Sequence, residues 1–217
     1  MLKVQTPNGD NKVLLHSCCA PCSSAIIECM LANGIRPTVF YCNPNIYPQA
    51  EYETRKNEAI RFVTSKNIDF IDADYDYAHW LHTMQGLEHE PERGSRCLKC
   101  FTLRLTETAR YASEHGFSVF TTTLASSRWK SLEQINEAGR RAAALYPGTL
   151  FWEQNWRKGG LQERRNQLLK EYDSITSSIA AVNSACNGWK RTKRYKIGWI
   201  MYDIVLKLGT FPVTLFH

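Results

Sequence analysis

Val13-Leu14-Leu15-His16-Ser17-Cys18-Cys19-Ala20-Pro21-Cys22 is the stretch on which the reading of this chain turns. Three consecutive aliphatic residues suit a short strand buried on both faces, as in a parallel sheet. The strand ends at His16 in a loop of cysteines, and a helix is expected over residues 23–33, stopped by Asn33-Gly34. Further along, residues 38–42 read as a second strand. Residues 49–66 read as a charged amphipathic helix with Tyr52, Ala59, Phe62 and Val63 near one face. A third strand is expected at 68–71, a helix at 75–84 and an irregular link at 86–95. Then come a helix at 97–115 broken by Gly116 and a fourth strand at 118–123. A helix at 131–145 follows, capped by Ser131 with Gln134 at the capping-box position, and a last helix at 161–172. Strands alternating with helices imply βαβ units, hence one α/β domain with a mostly parallel sheet flanked by helices. Sites in such sheets form at the carboxyl ends of strands. His16 to Cys19, Tyr41 to Asn43 and Thr121 to Ser127 all fall there.

A chain of 217 residues is large enough to bury a core without disulfides, so its eight cysteines need another explanation. Met1 to Asn11 is polar and no secretory leader is expected. No run reaches the ~18–20 apolar residues of a membrane span. The expected location is cytoplasmic, where thiols stay reduced and clustered cysteines point to metal or redox chemistry. The net charge is +6, but residues 1–173 hold 21 Lys+Arg against 20 Asp+Glu, and residues 174–217 hold 6 against 1. The basicity therefore belongs to the last 44 residues, and the main body is close to neutral.

A second cysteine group, Arg96-Cys97-Leu98-Lys99-Cys100, follows the first after about 75 positions. Cys18, Cys19, Cys97 and Cys100 are the candidate ligands of a soft metal centre. Adjacent cysteines do not readily form a relaxed disulfide with each other, yet both can face one multi-iron cluster. A helix start at Cys97 would favour thiolate charge. From the residues alone three readings stand: an iron–sulfur cluster, a structural zinc site in a nucleic-acid-binding module without redox activity, or a metal-free redox dithiol. Cys22 is either a spare ligand or a packing residue; Cys29 and Cys42 are expected in the core. Cys186 gets no role.

Asn43-Pro44-Asn45-Ile46-Tyr47-Pro48, with Glu51-Tyr52 and Arg55, reads either as a substrate loop or as a rigid turn before a solvated helix. Ser126-Ser127-Arg128-Trp129-Lys130 reads either as a phosphate-and-stacking loop or as a hydrophilic connection. Arg96 reads either as a cation that stabilises cluster charge or, more in keeping with its type, as a surface arginine; His16 reads either as a neighbour of the cluster or, as is commoner at a strand end, as simply hydrogen-bonded. Ser23 and Ser24 open a helix and read either as part of an anion-binding helix start or, at least as well, as caps. The lack of a glycine-rich phosphate loop counts against a conventional nucleotide site.

Taken together, Leu15 to Ser23, Tyr41 to Ile46, Glu51-Tyr52-x-x-Arg55, Arg96-Cys97-x-x-Cys100-Phe101-x-x-Arg104-Leu105 and Thr121 to Leu124 resemble the QueH-type epoxyqueuosine reductases. The resemblance runs from about Val13 to Asp173. It implies a Rossmann-like fold of the adenine nucleotide α-hydrolase kind. It implies reduction of the epoxide of epoxyqueuosine at the wobble position of tRNA, the last step of queuosine synthesis. It also implies a 4Fe–4S cluster on Cys18, Cys19, Cys97 and Cys100, room for an additional iron with unassigned ligands, and an electron donor not identified by the sequence. Substrate would be reached over residues 43–55 and 121–130.

The resemblance stops at Asp173. Members of the family usually finish with a Cys-x-Cys pair taken to be a redox disulfide, and no such pair occurs here. The expected division is a catalytic α/β domain at 12–173 and a divergent basic and apolar tail at 174–217. A shifted reading frame at or just after Asp173, in the gene or in its recorded sequence, is the expected origin of that tail; for a real tail the expected consequence is lost electron recycling or an inactive protein.

Overall fold

A computed structural model of the chain describes residues 2–171. Five strands form one wholly parallel sheet: β1 (Lys12–His16), β2 (Arg36–Tyr41), β3 (Phe70–Asp72), β4 (Val119–Thr122) and β5 (Leu150–Phe151), in the order β3-β2-β1-β4-β5. β1 is central. Val13, Leu14 and Leu15 are fully buried because sheet neighbours and helices cover both faces. The helices are α1 (Ala20–Ala32), α2 (Gln49–Ser65), α3 (Tyr77–Thr83), α4 (Ser95–Glu114), α5 (Leu132–Leu145) and α6 (Leu161–Glu171). Strand order reverses between β1 and β4, and the crevice at such a switch point is where this architecture builds sites.

The boundaries depart from expectation where local chemistry decided them. α1 starts at Ala20, not at residue 23, because Pro21 suits a first helical turn. Cys19 is its N-cap and makes no side-chain cap bond. Ser23 therefore lies inside the helix and donates back to the Cys19 carbonyl at 3.0 Å, while Ser24 Oγ is buried without a partner among the described residues. Neither serine caps. At the far end Gly34 adopts φ +74°, and Ile35 N–H donates to the Met30 carbonyl at 2.9 Å, closing α1 with a left-handed residue.

The third strand begins two residues late for a similar reason. Asn67 takes φ 53°, and Ile68 N–H donates to the Val63 carbonyl at 3.1 Å, so Ile68 finishes α2 instead of opening β3. α3 is shorter than expected because Asp76 caps it, accepting from His79 N–H at 2.8 Å. Ser131 caps α5, accepting from Gln134 N–H at 3.2 Å. The capping box is only half made, since the Gln134 amide donates to the Arg93 carbonyl at 2.8 Å. β5 was not expected; two residues carry no period. Gly139 lets α5 approach it: a Cβ there would stand 2.2 Å from the Phe151 ring.

Among the described residues no helix is long and apolar enough to cross a membrane. The division at 173/174, the frame-shift expectation, Tyr172 and Cys186 lie outside the described residues.

α6 runs back along α1. Arg164 Nε donates to Glu28 Oε2 at 2.7 Å, and Lys66 Nζ, just past α2, meets Glu28 Oε1 at 3.0 Å. Burial alone would raise the Glu28 carboxyl, but hydrogen bonds from Arg164 and Lys66 outweigh it and hold the pKa below the ordinary 4.5. A depressed folded pKa contributes stability above the unfolded value and loses it as pH falls through the folded one. Glu28→Gln should therefore cost about 1–2 kcal/mol at pH 7 in urea unfolding. That difference should shrink below about pH 4.5, and a pH-independent difference would contradict this assignment.

Candidate metal centre

Backbone pairing fixes where the first cysteine group sits. His16 closes β1 opposite Phe40 and Thr122, so Ser17, Cys18 and Cys19 emerge between the ends of β2 and β4. Ser17 N–H donates to the Phe40 carbonyl at 2.9 Å, and Cys18 N–H to Thr123 Oγ1 at 3.2 Å. The second group opens α4, with Cys97 buried and Cys100 one turn on.

Cys18, Cys19, Cys97 and Cys100 line a single cavity that opens to solvent. The two groups, remote in sequence, thus meet. The Sγ atoms of Cys18, Cys19 and Cys22 lie within 4.8 Å of one another, with Cys19 to Cys22 at 3.0 Å, although Cys22 does not itself line the cavity. Cys22, which sequence left between ligand and packing residue, joins the thiol group. All seven described cysteines are free thiols, and Cys29 and Cys42 are in the core as expected.

His16 is fully buried. Its Nε2 donates to the Cys42 carbonyl at 3.1 Å, and Nδ1 accepts from the Thr122 hydroxyl at 2.8 Å. That tautomer follows from the Cys42 carbonyl, which can only accept, so Nε2 carries the proton of the neutral ring and Nδ1 is left to accept. Burial, then the nearby Arg104 cation, bring the imidazole pKa down to about 3, so the ring is neutral. His16 is a structural staple, as its strand-end position led us to expect.

The cavity wall is cationic. Arg55, Arg96, Arg104 and Lys130 all contribute to it. The expectation of a surface Arg96 is overturned: it is 8% exposed, because its place in the first turn of α4 turns it inward beside Cys97. Its Nη1 donates to the Glu88 carbonyl at 3.2 Å. Arg104, 3% exposed, donates from Nε to the Cys42 carbonyl at 3.1 Å and from Nη2 to Asn43 Oδ1. Asn43 in turn donates to the Ser17 carbonyl at 2.9 Å. Hydrogen bonds from Cys19 and Cys22, then the Lys130 charge, hold the Cys18 thiol well below its ordinary pKa, while sharing that proton network with Cys18 pushes Cys22 up to about 12.

Donors from other elements reach thiol sulfurs of the site. Trp80 Nε1 donates to Cys100 Sγ at 3.3 Å, and Thr123 Oγ1 to Cys18 Sγ at 3.5 Å. Trp80 was missed by sequence reading, since a tryptophan on a short helix signals only a core. Asn45 Oδ1 is buried at the cavity without a partner among the described residues.

This donor set fits a soft metal. Close reduced thiols suit thiophilic ions, and positive walls offset the charge that thiolates bring. Four thiolates would also accommodate zinc.

The family model described as epoxyqueuosine reductase QueH matches residues 13–175. A protein of Haemophilus influenzae described as epoxyqueuosine reductase QueH is 51% identical over 168 residues, covering 77% of this chain and 69% of its own. One from Histophilus somni with the same description is 51% identical over 211 residues, covering 93% of this chain and 85% of its own. That match continues past the described residues. A third, from Acinetobacter baylyi, is 48% identical over 169 residues and covers 78% of each.

Proposed function

The chain belongs to the epoxyqueuosine reductase QueH family, and on that premise we propose that it reduces the epoxide of epoxyqueuosine in tRNA to the alkene of queuosine. Membership makes it an oxidoreductase. The observation that carries the finer reading is the meeting of both cysteine groups in one cationic cavity at the switch point of the sheet. Strand order 3-2-1-4-5 is also what supports kinship with Rossmann-like, adenine nucleotide α-hydrolase-like folds. The catalytic unit would be residues 12–173, working in the cytoplasm.

Cys18, Cys19, Cys97 and Cys100 would hold a 4Fe–4S cluster, with Cys22 close enough to Cys18 and Cys19 to serve an additional iron. When bound, the cluster supplies electrons one at a time to the substrate. Removing the epoxide oxygen as water consumes two electrons and two protons, and the electron donor is a further partner. The chain's own residues do the rest. Arg55, Arg96, Arg104 and Lys130 put positive charge where the departing oxygen gains negative charge. The orphaned Asn45 Oδ1 offers an acceptor to an N–H or O–H of the nucleoside. Ile46, Phe101 and Leu124 give the wall apolar surface for a base.

Anaerobically prepared protein supplied with dithionite should convert epoxyqueuosine in tRNA to queuosine. A chemical reductant stands in for the electron-recycling Cys-x-Cys pair that the chain lacks. Cys97→Ser should abolish conversion; conversion unchanged by it would contradict the ligand set. The Trp80 hydrogen bond gives a second expectation. An N–H to a ligating sulfur stabilises the more negative, reduced cluster. Trp80→Phe should lower the cluster's reduction potential in a spectroelectrochemical titration, and an unchanged or raised potential would show that Cys100 does not carry the cluster.

A further inference from the structure

Two exposed aromatic residues sit in loops next to residues that line the cavity. Tyr47 is 69% exposed and Trp129 64%, more than any other large hydrophobic residue described. Single exposed aromatics are ordinary. These two are placed alike: each follows or precedes by one position a residue that lines the cavity, Ile46 or Lys130. One loop follows β2 and the other follows β4, and those strands flank β1 on opposite sides. The two loops therefore flank the loop that carries Cys18 and Cys19 on opposite sides.

Neither ring sits on a loose support. Tyr47 stacks on Tyr77 with centroids 4.8 Å apart and planes 27° apart, and Tyr77 stacks on Trp80 at 5.7 Å and 24°. Trp80 is itself buried in the cavity wall. The Trp129 loop is pinned through its backbone. Arg93 donates to the carbonyls of Trp129 and Arg128 at 3.0 and 2.9 Å, and Arg157 to that of Lys130 at 2.9 Å. These guanidiniums also gather positive charge beside the indole. Burial, then the like charges of Arg93 and Arg128, hold Arg157 below its ordinary pKa.

We propose that Tyr47 and Trp129 are stacking platforms for the unpaired bases on either side of the nucleotide whose base enters the cavity, so that the partner surface is a single-stranded RNA loop. The inference rests on the reading of the cavity as a site for a modified tRNA nucleoside. A base drawn out of a loop leaves its neighbours with bare faces, and sequence-specific RNA recognition commonly covers such faces with aromatic rings. A ring already backed by two others loses little conformational freedom on binding. Cations beside Trp129 suit the intervening phosphates. Both bases would be held by their faces, so identity at those positions would matter little.

The test uses metal-loaded protein and a synthetic anticodon stem-loop RNA carrying epoxyqueuosine, with dissociation constants measured by fluorescence anisotropy. Tyr47→Ala and Trp129→Ala should each weaken binding roughly 5- to 150-fold. Tyr47→Phe and Trp129→Phe should restore it, and iron content should not change. In a stem-loop with abasic sites on both sides of the modified nucleotide, native protein and the alanine variants should bind alike. Alanine variants that bind the complete stem-loop as tightly as native protein overturn the inference alone. So does an equal loss on complete and abasic RNA. Native protein that neither binds the stem-loop nor converts its epoxyqueuosine overturns the functional reading and this inference with it.

Discussion

One buried carbonyl, that of Cys42, ties the site together. It accepts from His16 Nε2 at the end of β1 and from Arg104 Nε on α4. Arg104 continues through Asn43 to the Ser17 carbonyl, so the loop of Cys18 and Cys19 and the loop after β2 are fastened to one helix. That helix carries Cys97 and Cys100 in its opening turns. The two cysteine groups face one cavity because α4 cannot shift along the sheet without leaving these buried polar groups unsatisfied. The neutral state of His16 belongs to the same device: a charged ring could not accept from Thr122.

Charge explains why the cavity is built from arginines. Arg55, Arg96 and Arg104 are all largely withdrawn from water. Burying several cations around one space is costly unless something negative shares it. Arg55 already meets the Glu51 carboxylate at 2.7 Å, and thiolates of the lining cysteines would supply further negative charge. The rim repeats it on a larger scale, with Arg93, Arg128 and Arg157 around the Trp129 loop.

Much of this was legible in the chain. The aliphatic run before His16 announced a buried parallel strand, and alternation of strands and helices announced the α/β architecture. Spacing grouped Cys18, Cys19, Cys97 and Cys100 as candidate ligands, and all four line one cavity, while the three sulfurs found close together are those of Cys18, Cys19 and Cys22. What stayed hidden depended on contacts between distant elements. Arg96 reads as a surface residue until the direction of α4's first turn is known. Trp80 has no sequence signature for an N–H that reaches sulfur. Cys22 was ambiguous because its role depends on whether α1 begins at Ala20 or three residues later. Ser23 and Ser24 misled for that same reason, and β5 is too short to carry a period.

The central claim is that cysteines from the ends of β1 and the start of α4 hold one iron–sulfur centre. Iron, zinc and acid-labile sulfide should be counted together in anaerobically purified protein, with its absorption spectrum. The account predicts about four irons and four sulfides per chain and a broad band near 400 nm. One zinc, no sulfide and no colour would contradict it.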